Sequence, residues 1–179
     1  MPWLLAVSFV WAFSFGLIKG RLTGVDASLV AFVRLLLALI VFLPFARPME
    51  LRIQDLVTLA GIGAVQFGIM YVTYIAAFEH LAAYEVAVLS IFTPVFVCIA
   101  GDSFERRFNT RPFIAAAIAI AGAAVILMEQ PLSTASWGGV LLMQVSNLCF
   151  ALGQVAYAGW RRGHAQVAES HIFFALYAG

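Results

Sequence analysis

Charge is what this sequence has least of. Only 11% of its 179 residues are charged, 64% are hydrophobic, and the mean hydropathy is +1.00. Soluble domains carry roughly 25% charged residues, and a water-soluble chain of this size needs a polar shell that these residues cannot supply. The solvent for most of its surface must be hydrocarbon, which a helix of about 20 apolar residues crosses in roughly 30 Å. The net charge of +1 offers no basic patch to a nucleic-acid partner.

Cysteine and histidine are scarce too, and each shortage removes a class of chemistry. The two cysteines, Cys98 and Cys149, lie far apart in apolar segments without a CxxC spacing, and read as buried packing residues. His80, His164 and His171 all fall at helix ends or in loops, and there is no HExxH pair. No serine sits in a GxSxG or GxSG run, so an intramembrane hydrolase would lack an activated nucleophile. Gly61-Ile62-Gly63 lies inside an apolar helix and not after a strand, so it is no nucleotide fingerprint. Catalytic residues, a metal site and a cofactor are therefore not expected. The start, Met1-Pro2-Trp3, lacks the basic region of a signal peptide, and the first apolar segment is expected to remain as a membrane helix.

What is present is a series of long apolar runs. Breaks at charged or turn-rich segments predict membrane helices near Trp3–Lys19, Ser28–Phe45, Asp55–Phe78, Ala82–Gly101, Arg111–Met128 and Gly138–Trp160. The short connections make sequential helices antiparallel neighbours. With the N-terminus inside, the inner loops hold Arg47, Arg52, Arg106, Arg107, Arg111, Arg161 and Arg162, and the outer loops only Lys19 and Arg21. That bias predicts a cytoplasmic N-terminus. The final apolar run, His171 to Gly179, reaches only about 13 Å as a helix. It is too short to span, and the chain is expected to be a fragment of a longer protein.

Several segments carry a resemblance. Val10-Trp11-Ala12-Phe13-Ser14-Phe15-Gly16-Leu17-Ile18-Lys19 is similar to the tryptophan-to-lysine signature that opens the EamA family of the drug/metabolite transporter superfamily. Ala31-Phe32-Val33-Arg34-Leu35-Leu36-Leu37-Ala38 resembles its second-helix stretch, with Leu35 where phenylalanine is common. Leu89-Ser90-Ile91-Phe92-Thr93-Pro94 resembles its mid-helix proline segment. Phe104-Glu105-Arg106-Arg107-Phe108 and Gly122-Ala123-Ala124-Val125-Ile126-Leu127 are similar to the loop and fifth helix that follow, with Ser103 in place of the usual glycine. No one motif is specific, but five stand in order over residues 1–130.

The resemblance implies an all-α integral membrane protein. Residues 1–130 would form a five-helix transmembrane repeat, and residues 137–179 a sixth helix and a truncated seventh that begin a second repeat. Five crossings return the chain on the opposite face, so the second repeat would be inverted, as in alternating-access carriers.

Candidate site residues follow from depth and side-chain type. Counting along the spans places Trp11, Gln66, Ser90 to Pro94 and Asn147 near the bilayer midplane, where carriers hold substrates. Gln144, Asn147, Ala151 and Gln154 share one face of the sixth helix, which must line a polar cavity or bond a neighbouring helix. Gln66, Thr73 and Tyr74, with Tyr71 nearby, share a side of the third helix as a packing face or a substrate surface. Pro94 removes an amide donor and is expected to bend its helix and free the carbonyl of Ser90. Ala60, Ala64 and Gly68, and likewise Ala115, Ala119 and Ala123, read as close-packing ridges. The ionisable residues gather near the outer ends, namely Lys19, Arg34, Glu79, His80 and Glu85, and an Arg34–Glu85 bridge is expected, either static or serving to gate or to bind a charged group of the solute.

These readings converge on a secondary transporter of the inner membrane moving a small polar metabolite (amino acid, amine or carboxylate), as an exporter. Its partners would be the lipid bilayer, the solute, and a missing C-terminal repeat or a homo-oligomer partner. The alternative is a non-transporting membrane subunit or an inactive remnant.

Overall fold

The computed structural model describes residues 2–22, 24–47, 51–105, 110–129 and 136–179. Every regular element among them is helical. Helix α1, Pro2–Leu17, widens into a π turn over Ile18–Leu22. Helix α2, Ala27–Phe42, begins where the Asp26 carboxylate accepts from the Leu29 amide at 2.9 Å, and ends in a tight turn containing Pro44. Helix α3, Ile53–Gly63, passes through a π turn at Ala64–Ile69 into α4, Met70–His80, as one 28-residue crossing.

The expected fourth span is broken. Helix α5, Ala83–Ser90, stops, the chain turns at Ile91 and Phe92, and α6 resumes over Thr93–Glu105. Pro94 is the cause, because it cannot donate back to the preceding turn. Helix α7 covers Thr110–Glu129, α8 Trp137–Gly163, and the short α9 Phe173–Ala178. Ser136 caps α8 by accepting from the Gly139 amide at 3.1 Å.

The chain is an all-α membrane protein. Five helical segments among the described residues are long and apolar enough to cross a bilayer, namely Leu5–Leu22, Ala27–Phe45, Ile53–His80, Ala83–Phe104 and Trp137–Gly163. On α7 the described apolar stretch is shorter, Pro112–Val125. Large apolar side chains face outward along these helices, Phe9 and Phe13 on α1 and Ile118 on α7 among them, as a lipid-exposed surface requires. The loop arginines Arg106 and Arg107, with Phe108 of the loop motif, lie outside the described residues, as does residue 130.

Helix α8 organises the interior. It packs on α3, α4, α5 and α6, and α4 is held between α2 and α8. The register against the α3–α4 crossing is antiparallel and repeats every seven residues of α8 through small side chains. Gly139 meets His80 and Leu81, the Ser146 hydroxyl donates to the Met70 carbonyl at 3.1 Å, and Gly153 lies on Gln66. A Cβ at Gly153 would fall inside the Gln66 side chain, 2.7 Å from Cγ and 2.9 Å from Oε1.

The small-residue ridges expected elsewhere are differently placed. The π turn inserts a register shift between Ala60 and Gly68, and a Cβ at Gly68 would meet nothing within 4 Å. On α7 the buried alanines are Ala116 and Ala123, whereas Ala115 and Ala119 are exposed. Helix α9 folds back onto α2 and α3, packing Ile172, Ala175 and Leu176 against Leu59 and Ile62. Gly63 permits that approach, because a Cβ there would collide with the Leu176 carbonyl.

Candidate functional site

The break between α5 and α6 interrupts the main-chain ladder about halfway through a span, and α8 supplies a side chain that bonds one of its carbonyls. Asn147, 3% exposed, donates from Nδ2 to the Leu89 carbonyl at 2.9 Å and to Gln144 Oε1 at 3.4 Å. Its Oδ1 accepts from the Thr93 hydroxyl at 3.0 Å. The carbonyl taken up is that of Leu89, one residue before the Ser90 carbonyl expected from the sequence. The Ser90 hydroxyl turns back to the Ala87 carbonyl at 2.6 Å.

Next to this node a cleft of about 470 Å³ opens between α6, α7 and α8, lined by Thr93, Pro94, Val97, Ala115, Ala119 and Gln154 among others. Small-molecule sites have volumes of this order and combine apolar walls with a few polar groups. The polar residues of its lining are Thr93, Gln154 and, more weakly, Cys98. Gln154 belongs to the α8 stripe predicted from sequence, and Thr93 is a residue that the sequence reading placed only by its neighbours Ser90 and Pro94.

Gln66 is buried on the π turn under Gly153, on the α3–α4 side of α8. The Thr73 hydroxyl donates to the Ile69 and Met70 carbonyls of its own helix, so its donor is not free for a ligand. Tyr71 and Tyr74 stand edge to face with ring centroids 6.3 Å apart, and face α2. Trp11 does not join any of these residues. It is 58% exposed on α1, a helix with little of its span buried in the bundle.

The expected Arg34–Glu85 bridge is not formed. Glu85, fully buried, caps α5 by accepting from the Ala82 amide at 2.8 Å, and also receives the Tyr84 hydroxyl at 3.4 Å. A helix start needs such an acceptor, and that local demand engages one oxygen of the carboxylate. Arg34 instead lies over the Tyr71 ring, with Cζ 4.9 Å from the centroid. Lys19 donates from Nζ to the Phe78 carbonyl at 2.6 Å, tying the turn after α1 to the end of α4.

The opposite end of the α3/α8 pair carries a cluster that sequence reading missed. Asp55 Oδ1 accepts from Trp160 Nε1 at 3.1 Å and pairs with His164 Nε2 at 3.2 Å. The imidazole stacks on the Trp160 indole with centroids 4.1 Å apart, and its Nδ1 lies 3.0 Å from the Trp160 carbonyl. Among the described residues no group of histidines, cysteines and carboxylates has metal-binding geometry.

The profile of the EamA-like transporter family matches residues 1–128. The chain belongs to that family. Membership places this EamA-like chain with transporters and not with enzymes. It is 40% identical over 158 residues to the probable biotin transporter of Pseudomonas aeruginosa, a match covering 88% of this chain and 55% of that protein. It is 33% identical over 159 residues to the biotin transporters of Salmonella typhimurium and Escherichia coli, covering 88% of this chain and 53% of each of those. The chain thus spans about half the length of the curated relatives it matches. No solved structure matches it.

Proposed function

We propose that the protein, in the form its native gene encodes, is a secondary carrier of the bacterial inner membrane for a small polar carboxylate. Biotin is the first candidate. The polar node at Asn147 carries this reading. A hydrogen-bonded asparagine and a broken helix at mid-membrane depth, beside an open cleft, are the features by which carriers hold a solute within reach of both faces. Membership in a transporter family and likeness to proteins named as biotin transporters support it.

In this reading residues 1–130 are the first repeat and residues 137–179 open an inverted second one. Gln66, Ser90, Pro94, Gln144 and Asn147 line or brace the solute path, and the N-terminus is cytoplasmic. A secondary carrier is reversible, so net export, the expected direction, occurs when the solute is more concentrated inside. The test is flux of labelled biotin, inward and outward, in vesicles holding the native gene product. Saturable flux blocked by unlabelled biotin supports the reading. Its absence for biotin and for a panel of other small carboxylates refutes it.

A further inference from the structure

Arg34 is a full positive charge inside a span. Seven residues separate it from the start of α2 at Ala27, which places it about 10 Å into the helix. Tyr71, nine residues before the end of α4 at His80, lies about 13 Å from the same end of the bundle. Asn147, ten residues into α8, is about 15 Å deep. Arg34 and Tyr71 therefore stand at nearly the depth of the polar node, on the other flank of α4.

An arginine at such depth is costly unless compensated, and normally pairs with a carboxylate or serves a pathway. Among the described residues no carboxylate pairs with Arg34, and its guanidinium lies over the Tyr71 ring face. That contact steadies the guanidinium but leaves its donors unused, because a π face engages the cation and not the N–H groups. The surroundings add donors and no acceptor charge. Tyr74 stands edge to face with Tyr71 and within electrostatic reach of Arg34. Tyr177 of α9 is stacked between Phe67 and Phe42, with centroids 4.8 and 5.5 Å away. Among the described residues, none of these three tyrosine hydroxyls has a hydrogen-bond partner.

A planar fork of donors, flanked by phenol hydroxyls and bordered by aromatic rings, is complementary to a monoanionic carboxylate on an apolar tail. We propose that Arg34, assisted by the Tyr71 and Tyr74 hydroxyls, is the receptor for the carboxylate of the transported solute. This rests on the reading that the protein carries a small carboxylate, and adds which group of the solute is recognised and where. Neutral analogues lose the charge-assisted pair, so selection between an acid and its amide is made here. Because α9 borders the cluster through Tyr177, the solute's tail would lie against the segment after α8.

The test uses acid and amide pairs, biotin with biotin amide and two unrelated monocarboxylates with their amides, on the purified native gene product. Binding is read as thermal stabilisation in detergent, and flux is measured in vesicles. Wild-type protein is expected to bind the acid of a recognised pair at least about thirtyfold more tightly than its amide. R34Q is expected to lose that preference with amide binding unchanged, and R34K to keep the preference with weaker acid binding. Stabilisation by another acid without biotin flux would sink biotin as the solute and leave the receptor standing. A wild-type protein indifferent to acid against amide would overturn the receptor. So would R34Q weakening both members of a pair equally, since Arg34 would then only hold the bundle together. If R34Q does not fold, an unchanged acid preference in the Tyr71→Phe, Tyr74→Phe double variant has the same force.

Discussion

Asn147 on α8 donates to the Leu89 carbonyl, 2.9 Å away, at the point where α5 stops. One side chain thus adds a second donor to an acceptor that the Phe92 amide reaches only at 3.3 Å where the helix breaks, and anchors the start of the next helix through Thr93 at 3.0 Å. The break is stable inside a membrane because irregular backbone is tolerated only where protein or a cavity meets it.

Replacing Asn147 by leucine removes both of these bonds and the longer one to Gln144 Oε1. Interhelical hydrogen bonds in membranes are worth about 0.6 kcal/mol on average and up to about 1.7, so N147L is expected to cost about 1 to 2 kcal/mol and to abolish flux. T93V, which removes one bond, is expected to cost about half of that. Melting in detergent and vesicle flux check both. Normal flux in N147L would show that the node only braces the helices.

A methyl group at Gly153 has no room beside Gln66. Overpacking of this kind costs about 1 to 3 kcal/mol, and G153A is expected to lie in that range. The pair G153A/Q66A recovers part of the loss, since Cγ and Oε1 are removed while the Cβ contact remains. G68A is the control. Its added carbon meets nothing within 4 Å, and its effect is expected within about 0.5 kcal/mol.

Asp55 receives the Trp160 indole and the His164 imidazole on one oxygen, and the Arg52 amide at 3.3 Å on the other. Hydrogen bonds to a charged acceptor contribute about 1.5 to 3 kcal/mol. D55A is expected to lower stability by that amount, and W160F by about 1 kcal/mol. If D55A melts with the wild-type protein, the end of α3 is held to α8 by apolar packing alone.

The arginine bias implies that segments ending near Arg47 and Gly163 face the cytoplasm, and that the turn near Val25 faces outward. A reporter active only in the cytoplasm should work when fused after Arg47 or Gly163, and fail after Val25. The reverse pattern would invert the topology.

The spans were legible because hydrocarbon imposes a length and an apolarity that composition alone reveals, and the Gln144 and Asn147 stripe was legible because a helix puts spacings of three and four on one face. The π turn at Ala64–Ile69 was not, since hydropathy carries no information on register, and Gly68 falls outside the close-packing ridge expected at Ala60, Ala64 and Gly68, whereas Ala60 is closely approached by Gly179. Arg34 and Glu85 were paired by depth, but the choice between a partner helix and a local cap is made by geometry that sequence does not hold. Asp55 and Trp160 are 105 residues apart, and nothing local in the sequence joins them. Gly139, Ser146 and Gly153 did carry a signal, small residues at intervals of seven, which a search at the coiled-coil period would have found.

The most direct test of the central claim is flux of labelled biotin and competing carboxylates into vesicles, with the native gene product beside residues 1–179 alone. Saturable flux by the native product is the expected result, and on the two-repeat reading residues 1–179 alone give none, because a solute path between two repeats needs both. Equal flux by residues 1–179 would contradict the two-repeat mechanism and put a homo-oligomer in its place, and no saturable flux from either would contradict transport of a small carboxylate.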